Sequence, residues 1–120
     1  MSGTQFAASV RRQARTVIID LQGEIDNTAS ERLLIAYDQA ERSAPEAIVL
    51  NFSQVHHINS AGIGLIIEML SRANKGNRRM VAFGLTPHYT SIFRMTRLTD
   101  YIGLFSDEAS ALTAITPLSA

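Results

Sequence analysis

Cysteine is absent from the 120 residues, and that excludes disulfides, thiol catalysis and thiolate metal sites. It also fits a reducing compartment. No basic stripe is present: eleven basic side chains balance eleven acidic ones, and the densest clusters are only Arg11-Arg12 and Arg78-Arg79. Nucleic-acid binding works by displacing counterions with such a stripe, so direct nucleic-acid contact is not expected. Long apolar runs are missing too. The longest, Ile63 to Leu70, is broken by Gly64 and Glu68 and falls far short of the roughly 20 residues that span a bilayer. Met1 to Arg15 has no apolar core of the signal-peptide kind, so a soluble, cytoplasmic protein without membrane attachment is expected.

What is present is a globular composition. Hydrophobic residues make up 46% and charged residues 18%, enough apolar surface for one core and too little charge for a disordered chain. One domain over 1–120, with its core at about 5–116, is expected. A first edge strand is placed near Gln5 to Arg11. Thr16 to Gln22 alternates, with Val17, Ile19 and Leu21 on one face, and Gly23 is read as its end. Thr28-Ala-Ser-Glu31 has the form of a capping box, and Leu33, Leu34, Tyr37 and Ala40 recur at helical spacing, so a helix is predicted over 29–43, stopped by Pro45.

Ala47 to Phe52 is nearly all apolar, the pattern of a central strand covered on both faces. A loop, Ser53 to Asn59, is predicted to follow. Ser60 then opens a helix to about Asn74 with Ile63, Ile66, Ile67, Leu70 and Ala73 as its buried stripe. Arg79 to Phe83 reads as a short buried strand. Thr86-Pro87 starts a helix with Ile92, Phe93 and Thr96 inward. Tyr101 to Phe105 is a last strand, Ser106 caps a last helix with Ala109, Leu112 and Ile115 inward, and Pro117 to Ala120 should fray. The order β-β-α-β-α-β-α-β-α implies an α/β domain: a mixed, partly parallel sheet of four to five strands with four helices.

The stretch Val55 to Leu70, VHHINSAGIGLIIEML, carries the most information. Small residues at 60, 61, 62 and 64 leave the helix start uncluttered, so another surface can approach the backbone closely. Ser60 is placed as the N-cap, its hydroxyl facing the free amides of the first turn. A serine there has a sufficient structural reason in capping alone. On the outer face of the helix, Leu65 and Met69 flank Glu68 and Arg72; either they contact a partner or a neighbouring helix covers them. Asp26 stands at a strand end, where open α/β sheets often act, and a helix-entry cap explains it equally well.

Other constellations fail on spacing. His56 and His57 are neighbours and point to opposite sides of an extended chain, so no metal site is expected. Gly62-x-Gly64 lacks the third glycine of a dinucleotide fingerprint, and Ile58 stands where G-x-S-x-G needs glycine. Arg94 and Arg97 read as solvated charges. No cofactor and no catalytic residue is expected, so the chain reads as a non-enzyme.

Gly23-Glu-Ile-Asp26 after a strand, followed by Asn59-Ser60-Ala61-Gly62-Ile63-Gly64-Leu65 after a central strand, resembles the STAS domain family, and within it the bacterial anti-sigma factor antagonists. Gly84-Leu85-Thr86-Pro87 and Phe105-Ser106-Asp107-Glu108-Ala109 also match the family's helix starts, and the likeness runs from residue 5 to about 116. The resemblance implies that Ser60 is phosphorylated by a partner serine kinase, the anti-sigma factor, which binds the nucleotide itself. It implies a partner face around Asp26, Asn59, Ser60, Ala61 and Gly62, to which the helical spacing adds Leu65 and Met69 as candidates. One departure stands out: the family's usual aspartate before the serine is Asn59 here, which removes a negative charge beside the acceptor hydroxyl. The alternative is therefore a constitutive interaction subunit of a larger signalling or transport assembly. The oligomeric state is not written in the sequence.

Overall fold

The computed structural model describes residues 5–115; the expected fraying of Pro117 to Ala120 lies outside them. Strand β1 (Ala7–Gln13) turns at Ala14 into β2 (Thr16–Ile25). A 3-10 turn (Asn27–Ala29) leads into helix α1 (Ser30–Glu41), then β3 (Ala47–Ile58), α2 (Ser60–Lys75), β4 (Arg79–Phe83) and α3 (Pro87–Met95). A second 3-10 turn (Leu98–Asp100), β5 (Gly103–Phe105) and α4 (Glu108–Ile115) complete it. The strands lie in one sheet in chain order. β1 runs antiparallel to β2, and every later pair is parallel, as helical crossovers require. The expected mixed sheet with four helices is what the chain forms.

The sheet has two unequal faces. Val17, Ile19, Leu21, Ile48, Leu50 and Phe52 point to one face, where Leu33 and Tyr37 of α1, Ile66, Met69 and Leu70 of α2, and Tyr89 and Phe93 of α3 cover them. Ile18, Val49, Val81 and Phe83 point to the other, against Ala111 of α4 with Leu112 and Ile115 beside it. The apolar runs of β3 and β4 follow from this two-sided cover.

Several local expectations are corrected. β2 does not stop at Gly23 but continues to Ile25; Gly23 takes a φ of 91° where the register with β3 shifts. Ser53 to Ile58 is strand, not loop. β3 advances three residues to two of β2 between Asn51 and Gln54, and two to one between Val55 and His57. These two bulges turn the period of two into three, so Phe52, Val55 and Ile58 all face the core. The capping box is not formed: the Asp26 side chain caps the 3-10 turn instead, and α1 begins at Ser30 with no side-chain cap. Asp107, not Ser106, accepts the Ser110 amide at 2.8 Å, and Ala109 is exposed. The Thr86 cap holds, its side chain accepting the Tyr89 amide.

Candidate functional site

The β3–α2 junction builds the site. Asn59 has extended backbone angles, and its Oδ1 accepts the Gly62 amide at 2.9 Å. The first intrahelical bond runs from Ile63 N to Asn59 O. Asn59 is therefore the N-cap, and Ser60 is the first helical residue, one place beyond the expected cap. The physical reason is ordinary: asparagine caps as well as serine does, and the strand delivers Asn59 in the required extended conformation. Ser60 is exposed, and among the described residues nothing hydrogen-bonds its hydroxyl. The amides of Ser60 and Ala61 precede the first helical bond, at the positive end of the helix.

A second link joins this start to β2. The Asn59 amide donates to the Ile25 carbonyl at 3.2 Å. Asp26 and Ser60 thus each follow one member of a bonded pair, and the two lie at the same end of the sheet. Gly62 is buried against that contact, and a Cβ there would stand 2.1 Å from the Ile25 carbonyl oxygen. Asp26 is half-buried and its Oδ1 accepts from the Thr28 hydroxyl at 2.5 Å and the Thr28 amide at 2.8 Å. The Thr28 hydroxyl, and then its amide, hold the Asp26 carboxyl below the usual carboxylate range. The helix-entry cap is thus a role the structure assigns to Asp26, and it leaves the carboxylate charged beside the α2 start.

The outer face of α2 differs from expectation. Met69 is fully buried in the core and offers no contact to a partner, a correction of its place on the partner face. Leu65 is half-buried and packs against the same core. Ile67, expected inside, is 47% exposed. The cause is a buried arc turned by about 60° from the one the isolated helix suggests, at about 100° per residue. α1 packs against α2 on the Met69 side, where the Arg72 guanidinium lies 4.6 Å over the Tyr37 ring. On the Ile67 side an open groove of about 560 Å³ separates α2 from the Thr96–Tyr101 segment.

The structure thus gathers Asp26, Asn59, Ser60 and Ala61 at one end of the sheet, with Gly62 beneath them and Gly64 open beside them. His56 and His57 are exposed and lie on β3. Among the described residues no group of three His, Asp or Glu side chains is placed to hold a metal ion, and no helix is long and apolar enough to cross a membrane. Sequence reasoning missed Tyr89, whose hydroxyl accepts the Ile58 amide at 2.9 Å just before the cap. A single tyrosine 31 residues further along, in α3 beyond α2 and β4, carries no pattern that would have flagged it.

Comparison with known proteins agrees with this architecture. A curated relative, the anti-sigma F factor antagonist of Paenibacillus polymyxa, is 26% identical over 104 residues, covering 86% of this chain and 89% of the relative. The crystal structure of an anti-sigma factor antagonist from Mycobacterium paratuberculosis superposes with a TM-score of 0.81 at 21% identity, covering 92% and 94% of the two chains. The Bacillus cell fate determinant SpoIIAA in its phosphorylated form gives 0.71 at 22% identity, over 92% and 100%. The family model of the STAS domain matches residues 7–111, and the chain belongs to the STAS domain family.

Proposed function

We propose that this chain is an anti-sigma factor antagonist: a single, non-enzymatic cytoplasmic domain that binds a serine kinase of the anti-sigma type and is released from it by phosphorylation of Ser60. One observation carries the reading. The Ser60 hydroxyl is exposed and unbonded because Asn59 does the capping. A kinase can modify it without removing any bond that holds α2.

The chemistry of the switch follows from that position. A phosphoserine carries about −1.5 to −2 charges at neutral pH. The α2 dipole and the amides of Ser60 and Ala61 favour that charge, so the fold stays intact. A partner lying over Ser60, Ala61 and the open Gly64 would instead have to desolvate the phosphate beside the Asp26 carboxylate. About 4 kcal/mol of such cost is a thousandfold in affinity. Binding switches while the fold does not.

Asn59 favours a second reading, a constitutive interaction subunit whose Ser60 is never modified, since the residue directly before the acceptor serine carries no carboxylate. Intact-mass spectrometry of the native protein, with peptide mapping across Val55 to Arg72, separates the two. One phosphate per chain on Ser60, and Ser60→Asp binding the cognate kinase far more weakly than Ser60→Ala, are the expected results. Unmodified protein under both growth and stress with the kinase present would replace the switch by the constitutive subunit.

A further inference from the structure

β3 outruns its neighbour on one side. β4 pairs with it only from Ala47 to Asn51, while β2 accompanies it to Ile58. At the end of the strand the Asn59 amide turns to β2 and the Ile25 carbonyl. The amide of Ile58, one residue earlier, points the other way, where no strand remains. Ile58 is buried, so water does not serve it. Its partner is the Tyr89 hydroxyl, 2.9 Å away, on α3. The same oxygen lies 3.1 Å from His57 Nδ1. In the arrangement that satisfies all three groups, Ile58 N–H donates to the phenol oxygen and the phenol O–H donates to a neutral His57.

We infer that Tyr89 is a positioning residue for the Ser60 site, and that His57 makes its hold depend on protonation. A second proton on His57 occupies Nδ1 and reverses that bond, because the imidazolium is donor only. The phenol oxygen then faces two donors, Ile58 N–H and His57 Nδ1–H, and its own hydrogen must turn elsewhere. The Ile58 bond weakens, one residue before the cap and two before Ser60. Imidazole is the side chain that ordinarily changes charge between about pH 5 and 8, and that sets the range over which the device is tested. The other ionisable groups around His57 are Glu24, its register partner on β2; His56, its chain neighbour; and His88 on α3, whose ring lies 4.8 Å from that of Tyr89. The inference rests on the reading of Ser60 as the modified residue, but the junction itself can be observed without a kinase.

The test is an amide titration of the ¹⁵N-labelled full chain by NMR from about pH 5 to 8, the imidazole range. The Ile58, Asn59, Ser60 and Ala61 amides should shift together along a one-proton curve that matches the His57 ring protons. His57→Asn keeps an acceptor but cannot titrate, and should flatten the curve. Tyr89→Phe keeps the packing, and should flatten it too while raising Ile58 amide exchange at least tenfold. His56→Gln and His88→Gln should leave it in place. A titrating His57 ring with a motionless Ile58 amide, or a curve unchanged in Tyr89→Phe, would overturn the device. With the cognate kinase, Tyr89→Phe should be phosphorylated several-fold more slowly than wild type. Equal rates would remove the positioning role even if the amides move, whereas an amide titration in a chain whose Ser60 accepts no phosphate would retain the brace and remove the switch.

Discussion

An added methyl at Gly62 would stand 2.1 Å from the Ile25 carbonyl oxygen, whereas at Gly64 nothing lies within 4 Å. The first glycine lets α2 start in contact with β2; the second answers to no neighbour in the fold. Their substitutions therefore separate packing from recognition. Gly62→Ala has to push the helix start off Ile25, and we expect it to cost about 1–3 kcal/mol, the range for overpacking a filled site. Gly64→Ala should stabilise the helix by about 0.5–1 kcal/mol, since glycine is a poor interior helix residue. A larger side chain, Gly64→Leu, should leave the fold intact and weaken kinase binding by blocking the approach beside Ser60. Urea unfolding and titration calorimetry read the two effects separately; weakened kinase binding by Gly62→Ala alone, with Gly64→Leu neutral, would place the partner elsewhere. At this scale the small-residue run was legible in the sequence, but not that its glycines differ, because that distinction depends on a β2 carbonyl brought near only by the fold. The cap was misplaced by one residue for a similar reason: Asn59 and Ser60 are both good caps, and only the end of β3 decides between them.

Helix α2 illustrates what an element adds. Its apolar pattern was correct in the sequence, and its orientation was not, because a helix read alone has no knowledge of which side its neighbour takes. α1 packs on the Met69 side and an ion cluster closes over that seam: Arg72 bonds Asp38 at 2.9 Å and Glu41 at 2.6 Å, and Arg78 reaches Glu41 at 3.4 Å. These pairs are partly exposed and contribute modestly. The seam carries a costly group, the Tyr37 hydroxyl, which is buried without a hydrogen-bond partner among the described residues. Burial foremost, and then the Glu41 charge, push the Tyr37 phenol up to about 12. A raised phenol keeps its proton in the folded chain after the unfolded chain has lost it, so its contribution is full below about pH 10 and is lost as the pH rises toward 12. Tyr37→Phe removes the orphaned oxygen and keeps the ring under Arg72. We expect a gain of about 1 kcal/mol at pH 7. The variant should also be less alkali-sensitive in urea unfolding above about pH 10, where ordinary tyrosine ionises. Lower stability at pH 7 would mean that the hydroxyl has a partner in solution.

At the scale of the molecule, the element order, the mixed sheet and the two-sided cover of β3 followed from the alternation of apolar runs with capped helices, while the bulged end of β3 was hidden because its three-residue period imitates a loop. The two faces also differ in how they are held. Three helices share the larger core, but among the described residues the helical cover of the smaller face comes from α4 alone, Glu108–Ile115. Beside it lies a polar anchor that ties the first strand to the last helix. Arg11 grips Asp20 with Nε at 2.5 Å and Nη2 at 2.8 Å, the same Nη2 reaches Glu108 of α4 at 2.8 Å, and Asn51 donates to Asp20 at 2.8 Å. The Arg11 guanidinium first, and Asn51 after it, hold the Asp20 carboxyl below the usual range against the opposing effect of burial. The Ser110 amide does the same for Asp107, the cap of α4. Unfolded aspartates protonate near about pH 4. Carboxyls depressed in the folded state contribute stability above that pH and lose it as the pH falls through their folded values, because the unfolded chain takes up protons first. Both depressed groups that bear on α4 act in the same direction, so acid should free this helix before it opens the three-helix core. Hydrogen exchange followed from about pH 5 downward should show the amides of α4 losing protection ahead of those of β3 and α1, beginning near about pH 4. Asp20→Asn should weaken α4 protection already at neutral pH and flatten its acid dependence. Simultaneous loss across the chain, with the acid limb unchanged in Asp20→Asn, would mean that α4 is held by its apolar contacts to Ile18, Val49, Val81 and Phe83 and that the charged anchor adds nothing measurable.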